Sequence, residues 1–316
     1  MPDLSIIIVS WNVAEYLAAC LRSILEGLEA GSADARSKPT VEIIVVDSNS
    51  HDETTAMLKA SFPQVRLLAQ PENVGFTKGN NIGLEAATGK FILLLNPDTE
   101  ILEGALQAMI RYLAAHPEVG IVGPHTLNSD GTHQSTRRRF PTLATAYFES
   151  TWLEQYAPRH ILDRYYVRDA DDSATLLVDW VQGSALMFRR EVYEQIGGLD
   201  EGYIMFSEEL DWCRRAKMAG WQVAYLGSAR IIHHGGKSSE QVNARRHIHF
   251  QESKLRYTRK FHGRAAASLL RLFLIANYVF QWGLESLKGI LGSHPQMRRE
   301  RASTYLEVLR SGLKVT

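Results

Sequence analysis

The sequence predicts an α/β fold: a single, mostly parallel sheet flanked by helices, followed by a C-terminal helical extension. Three observations predict it. Apolar, β-branched runs at Leu4–Ser10, Val41–Asp47 and residues 90–95 lack polar alternation, as strands buried on both faces do. Segments with helical periodicity separate them, which gives a βαβα rhythm. Beyond about residue 240 that rhythm stops, and the chain becomes alternately basic and apolar.

Taken in order, Leu4–Ser10 is a strand and residues 13–28 a helix. Residues 31–40 form a polar loop rich in Gly, Ser and Pro. Val41–Asp47 is a second strand, and Ser48-Asn-Ser-His-Asp-Glu-Thr54 opens a helix with several candidate caps. A short strand at 65–69 precedes a helix at 76–87 and the strand at 90–95. A helix at 102–115 and a strand at 119–123 follow. Residues 128–173 have weaker periodicity and read as loops and short helices over the sheet. Strand signal returns at 175–188, then a helix at 208–219 and a strand at 222–226. The extension holds a basic stretch (237–264), an apolar helix (265–291) and a basic helix (298–314).

The chain has 316 residues, 45% of them apolar, enough for a full core. Basic and acidic residues balance at 35 each, which gives no whole-molecule attraction to nucleic acid. The two cysteines, Cys20 and Cys213, are far apart and read as cytosolic thiols, not a disulfide framework. The first ten residues carry no basic segment or cleavage pattern, so they read as a strand rather than a signal peptide. The apolar helix is interrupted by Arg271, Glu285 and Lys288, which argues against a membrane span.

Ligands of open α/β sheets bind beyond the carboxyl ends of the strands. Four expected strand ends carry polar residues: Ser10-Trp11-Asn12, Asp47-Ser48-Asn49, Asn96-Pro97-Asp98 and His125. Ser48, Asn49 and His125 read as turn formers or caps. Asp98 has two readings: a carboxylate that holds a divalent cation against a diphosphate, or a cap for the next helix. Asn73 to Gly83 is dense in Gly and Asn, which suits close approach of the backbone to a ligand. Glu208, Glu209 and Asp211 sit at a helix start, where carboxylates also serve as caps. One of the two glutamates is placed to take a proton from a hydroxyl while Asp211 turns to the structure. His233 and His234, beside glycines at a strand end, are candidates for metal or phosphate contact.

In this order the motifs resemble the large family-two inverting glycosyltransferases with the GT-A fold, and within it the bacterial rhamnosyltransferase-like branch. The residues concerned are Ser5-Ile-Ile-Ile-Val-Ser-Trp-Asn12, Val45-Val-Asp-Ser-Asn-Ser50, Asn73-Val-Gly-Phe76, Gly79-Asn-Asn-Ile-Gly83 and Leu95-Asn-Pro-Asp-Thr99. They continue with Trp180-Val-Gln-Gly-Ser184, Ile196-Gly-Gly-Leu-Asp-Glu201, Glu208-Glu-Leu-Asp-Trp-Cys-Arg214 and His233-His-Gly-Gly-Lys-Ser238. The resemblance implies a Rossmann-like GT-A catalytic domain over 1–240, with 1–125 binding the nucleotide sugar and 126–240 the acceptor, and an amphipathic helical extension over 241–316. It implies that Asp47 bonds a pyrimidine base and that Ser10 and the loop from Gly75 to Asn80 line the nucleotide. Asp98 stands at the last acid of the family's Asp-x-Asp metal motif, and Asn96, at the first, lowers the local negative charge. Glu209 corresponds to the general base, a glutamate where aspartate is usual. His233 corresponds to the residue that assists the metal (Mg²⁺ or Mn²⁺) or the diphosphate, with His234 as the alternative.

The implied reaction moves a sugar from a nucleoside-diphosphate donor to a hydroxyl with inversion at the anomeric carbon. L-Rhamnose from a dTDP donor is the leading substrate, with UDP-galactofuranose and UDP-glucose as alternatives, and the acceptor is a glycan or lipid-linked glycan in cell-surface polysaccharide synthesis. The expected setting is the cytoplasm, peripheral at the inner face of the plasma membrane. Leu269, Leu270, Phe273, Leu274, Tyr278 and Trp282 are expected to share one apolar face that meets an anionic membrane, the catalytic domain or a second subunit. Two other classes compete. A sugar nucleotidyltransferase would carry a Gly-rich, basic signature after the first strand, where Trp11-Asn12 stands. A non-catalytic binding module would not require both Asp98 and Glu209.

Overall fold

The computed structural model describes residues 1–30, 38–235, 243–292 and 294–314. Residues 31–37 of the expected polar loop, and Gly236, Lys237 and Ser238 of the histidine–glycine motif and basic stretch, lie outside the described residues. The chain forms two compact units: Met1–Phe140, Tyr166–Glu201 and Glu208–Ser238 make the first, and Pro141–Tyr165, Gly202–Ser207 and Ser239–Thr316 the second.

The first unit starts with β1 (Leu4–Ser10), α1 (Ala14–Ala30), β2 (Val41–Asp47), α2 (Thr54–Ser61), β3 (Arg66–Ala69), α3 (Gly75–Ala86) and β4 (Phe91–Leu95). The strands pair in parallel in the order β3-β2-β1-β4. Every residue of β1 and β4 is buried, which the unbroken apolar runs anticipated. Leu17, Cys20, Leu21 and Ile24 of α1 join one core cluster with Ile6 and Ile8 of β1. α3 lies over the alternate residues, Ile7 and Val9. Its glycines permit that approach: a Cβ at Gly79 would stand 2.8 Å from Val9 Cγ1, and one at Gly83 would overlap Ile7 Cγ2.

The chain continues through β5 (Thr99–Ile101), α4 (Ala105–Ala115), β6 (Val119–Leu127), β7 (His133–Gln134), β8 (Arg137–Arg138), α5 (Leu143–Phe148), a 3-10 turn at Trp152–Tyr156 and α6 (Arg159–Tyr166). Next come β9 (Leu176–Val178), β10 (Trp180–Val181), β11 (Ala185–Arg189), α7 (Arg190–Ile196), α8 (Glu208–Met218) and β12 (Gln222–His233). Beyond β4 the sheet is mixed: β11 runs antiparallel to β4 and β6, and β12 runs parallel to β6 and antiparallel to β5. The strand signal at 175–188 resolves into three short strands, and β10 leaves the main sheet to pair with β8. A register shift between Leu226 and Arg230 carries β12 on, so that His233 pairs with Thr99. That single pairing sets a histidine next to Asp98.

The second unit contains α5, the 3-10 turn, most of α6, α9 (Asn243–His262), α10 (Arg264–Ile290) and α11 (Pro295–Ser311). Gly263, at φ 91°, separates α9 from α10, Pro295 starts α11, and Gly312, at φ 68°, ends it. Leu255, Leu270, Leu274, Tyr278 and Val308 form this unit's core. Arg271 donates to the carbonyls of Gly312 and Leu313, and Glu285 pairs with Arg298 at 2.6 Å. The apolar face expected on α10 is therefore divided. Leu270, Leu274 and Tyr278 pack inward, while Leu269 and Trp282 are exposed, because the core takes the stripe that also carries Asn277 and Glu285. Among the described residues, α10 alone has the length and composition to cross a membrane, with mean hydropathy 1.2 over 18 residues.

Candidate active site

The turn after β4 carries Asn96, Pro97 and Asp98. Its backbone is fixed on both sides: Asn96 N–H donates to the Ser184 carbonyl at 2.9 Å, and the Thr99 hydroxyl donates to the Asn96 carbonyl at 2.7 Å. Asp98 is buried. The helix it was a candidate to cap begins only at Ala105, behind Gly104, so the capping reading does not hold. His233 Nε2 lies 3.4 Å from Asp98 Oδ1 and 3.3 Å from Asn96 Nδ2. Asn96 Oδ1 is buried without a partner.

The tautomer of His233 follows from its neighbours. Gln134 Oε1, which can only accept, lies 2.7 Å from His233 Nδ1. Gln134 Nε2 is committed to Asn128 Oδ1 at 2.8 Å, and Asn128 Nδ2 donates to Thr132. Nδ1 therefore carries a hydrogen, and Nε2 is the nitrogen that faces Asp98 and the Asn96 amide. A carboxylate and an imidazole nitrogen 3.4 Å apart are donor types that suit a divalent cation, whereas Asn96 turns its amide nitrogen to that imidazole. Among the described residues no group of three or more His, Cys, Asp or Glu side chains is placed to hold a metal, so such an ion needs ligands from elsewhere. His234 is placed differently: it contacts Glu100 at 2.7 Å and Ser129 at 2.8 Å.

At the ends of β1 and β2, Ser10 pairs in register with Asp47. Both are buried, and Ser10 Oγ and Asp47 Oδ1 lack partners, whereas Asp47 Oδ2 accepts from Ser50 N–H at 3.0 Å. Asn12 and Asn49 adopt left-handed backbone angles, φ 52° and 59°. Ser48 is structural, as its turn-former reading implied: it bonds Asn73 and accepts from Val74 N–H. The segment from Gly75 to Asn80, expected to line a ligand as a loop, is the start of α3. The Gly75 N–H is taken by Asn73 Oδ1, and Asn80 Nδ2 by the Phe76 carbonyl.

Glu208 and Glu209 begin α8. Glu209 Oε1 accepts from Gly183 N–H at 3.3 Å, and Oε2 is buried without a partner. The same short segment thus holds both groups, since Ser184 fixes Asn96 and Gly183 reaches Glu209. Burial pushes the Glu209 carboxyl above the usual range, against backbone hydrogen bonds and the Arg138 charge that pull it down. Burial, with Glu209 beside it, pushes Glu208 well above that range. Asp211 turns to the structure as expected: it pairs with Arg215 at 2.8 Å, and Arg215 also bonds the carbonyls of Ile196 and Gly198. Burial pushes both thiols, Cys20 and Cys213, up to about 12, which removes them as nucleophiles at neutral pH.

Sequence reasoning missed Gln134, Asn128 and Arg138, all in the stretch read as irregular. The sole signal was polar residues around Gly131, the turn between β6 and β7. It also missed a pair formed by His125 and His133, whose ring nitrogens lie 3.0 Å apart, and whose protonation burial disfavours.

A sequence signature described as glycosyl transferase family 2 matches residues 5–197. The chain belongs to that family. It is 28% identical over 226 residues to the N-acetylglucosaminyl-diphospho-decaprenol L-rhamnosyltransferase of Mycobacterium tuberculosis, across 68% of this chain and 73% of the relative. It is 27% identical over 237 residues to the low-salt glycan biosynthesis hexosyltransferase Agl10 of Haloferax volcanii, across 74% and 67%. The mannosyltransferase PcManGT of Pyrobaculum calidifontis, solved with GDP-Man and Mn²⁺, superposes with a TM-score of 0.57 at 17% identity, across 99% of this chain and 87% of that one. The fold of this family-2 glycosyltransferase is accordingly GT-A.

Proposed function

We propose that this glycosyltransferase transfers a sugar, L-rhamnose from a dTDP donor as the first choice, onto a hydroxyl of a glycan or lipid-linked acceptor with inversion. The observation that carries the reading is Glu209: a half-buried residue with one buried carboxylate oxygen unbonded, tethered to the segment that also fixes Asn96. The rhamnosyl choice rests on the mycobacterial L-rhamnosyltransferase to which the chain is similar. The lipid-linked sugar in the mycobacterial relative's name, N-acetylglucosaminyl-diphospho-decaprenol, also motivates a role in cell-surface polysaccharide synthesis at the cytoplasmic face of the membrane. Residues 1–240 act as the catalytic domain, 1–125 for the nucleotide sugar and 126–240 for the acceptor.

Asp47 accepts a ring N–H of the base with its unbonded oxygen, and the Ser10 hydroxyl lines the nucleotide beside it. Asp98 and His233 would hold a divalent cation beside the donor. Such an ion offsets charge on the departing diphosphate. Glu209 takes the proton from the acceptor hydroxyl. That oxygen bonds to the anomeric carbon as the bond to the diphosphate breaks on the opposite face, so one displacement inverts the centre. The test is product stereochemistry with a panel of nucleotide sugars. Transfer of rhamnose from dTDP-β-L-rhamnose to an α-linked product is expected, and retention of configuration would overturn the mechanism.

A further inference from the structure

The second unit and the first are oppositely charged. The second unit's sequence carries 16 Lys or Arg against 8 Asp or Glu, the first unit's 19 against 27. A chain with no net charge therefore joins a strongly basic piece to an acidic one. On the basic unit, α10 shows solvent an apolar stripe opposite its packed face. Leu269, Leu272, Val279, Phe280, Leu287 and Ile290 are exposed and recur at helical spacing. Two of the charged residues inside the helix turn elsewhere, Arg271 to the carbonyls of Gly312 and Leu313 and Glu285 to Arg298. Aromatic rings stand beside the stripe. Trp152, itself exposed, lies 5.2 Å from Phe280 between ring centroids and 5.9 Å from the exposed Tyr156. Asn277 Oδ1, on α10, accepts from the Trp152 backbone N–H and anchors that residue to the helix.

We propose that this face of α10, with Trp152 and Tyr156 at its rim, docks onto an anionic lipid bilayer with the helix lying in the interface. An apolar stripe on a basic body is the pattern of interfacial helices, since the stripe enters the acyl boundary while Lys and Arg meet acidic headgroups. Trp and Tyr favour the same depth. A second copy of this chain is the poorer occupant, because two such units brought face to face would repel each other. Spanning is also disfavoured, because drawing α10 across a bilayer would strip Arg271 and Glu285 of the partners they have in the unit. The inference does not depend on the proposed reaction, because it is read by binding alone.

The test is flotation of the full chain with vesicles of phosphatidylcholine, alone or with about one-third phosphatidylglycerol. The expected result is flotation with the anionic vesicles at low salt and loss of it in high salt. The double variant Leu272→Glu, Phe280→Glu should partition about tenfold less or worse. Both side chains are solvent-exposed, so an unchanged melting temperature and unchanged nucleoside-diphosphate binding should accompany the loss. Absence of flotation with anionic vesicles, or equal flotation of the double variant, overturns the proposal. So does resistance to alkaline carbonate extraction, which marks a span. A dimer that the double variant converts to monomers without any vesicle binding assigns the face to a second copy instead.

Discussion

Replacement of Glu209 by Gln tests the proposed base with little other disturbance. The glutamine keeps an acceptor for the Gly183 N–H, a contact of 3.3 Å that is already long. The change falls on Oε2, the buried oxygen with no partner, which becomes an NH₂ that cannot take a proton. Loss of a positioned base costs about 10²- to 10⁴-fold in rate, or about 2.7–5.4 kcal/mol in the barrier. Turnover should fall by at least about a hundredfold, with nucleoside-diphosphate affinity nearly unchanged, as measured by diphosphate release and by calorimetry with dTDP and UDP. The wild-type rate should also fall in acid, with a midpoint above the ordinary glutamate range, because burial raises the carboxyl that must be ionised to act. Near-normal turnover of Glu209→Gln alongside a dead Glu208→Gln would move the base by one residue. Activity in both would refute the assignment.

Asp98→Asn should weaken Mn²⁺-dependent donor binding and abolish most transfer, and full wild-type activity in excess chelator would remove the metal role. Asp47→Ala should weaken dTDP and UDP binding by about 1.5–3 kcal/mol, the worth of a hydrogen bond to a charged group, and tight binding of a guanosine sugar by the unmodified protein would contradict it. Gln134→Leu should lower Mn²⁺ affinity about tenfold or more, seen by electron paramagnetic resonance, because His233 loses the acceptor that fixes its tautomer, and Gln134→Glu should restore it. Glu208→Gln should raise the melting temperature by about 2 °C or more at neutral pH. Its folded carboxyl is raised, so that group's stabilising share is complete below the unfolded value and is lost as pH rises through the folded one. The gain should therefore vanish in acid, and a gain independent of pH would show that Glu208 is not the source.

Legibility in the sequence followed the range of the forces involved. β1, β4 and residues 43–47 of β2 were readable because both faces are buried, so burial dictates a largely apolar run. The mixed half was not readable. β7, β8 and β10 are two residues long, and no periodicity can be expressed in two residues. The Gly-rich start of α3 carried two signals with one cause: residues without a side chain let a helix lie against β1 just as they let a backbone approach a ligand, and Gly79 and Gly83 serve the first use.

The site divides along the same line. Asp47, Asp98 and Glu209 stood out because each is an acid directly beyond an apolar strand or at a helix start, a local placement visible in one dimension. Nothing local distinguishes His233 from His234, since both are flanked by the same apolar and glycine residues. Their difference is one of strand parity. In a strand, successive side chains face opposite ways, and pairing of His233 with Thr99 sends one ring toward Asp98 and the next toward Glu100. The register of β12 is itself irregular, with a shift against β6 between Leu226 and Arg230, upstream of either histidine. The amide chain from Asn128 through Gln134 then fixes which nitrogen of His233 is turned away from Asp98 as a donor. The choice between the two histidines is encoded in register rather than in residue type.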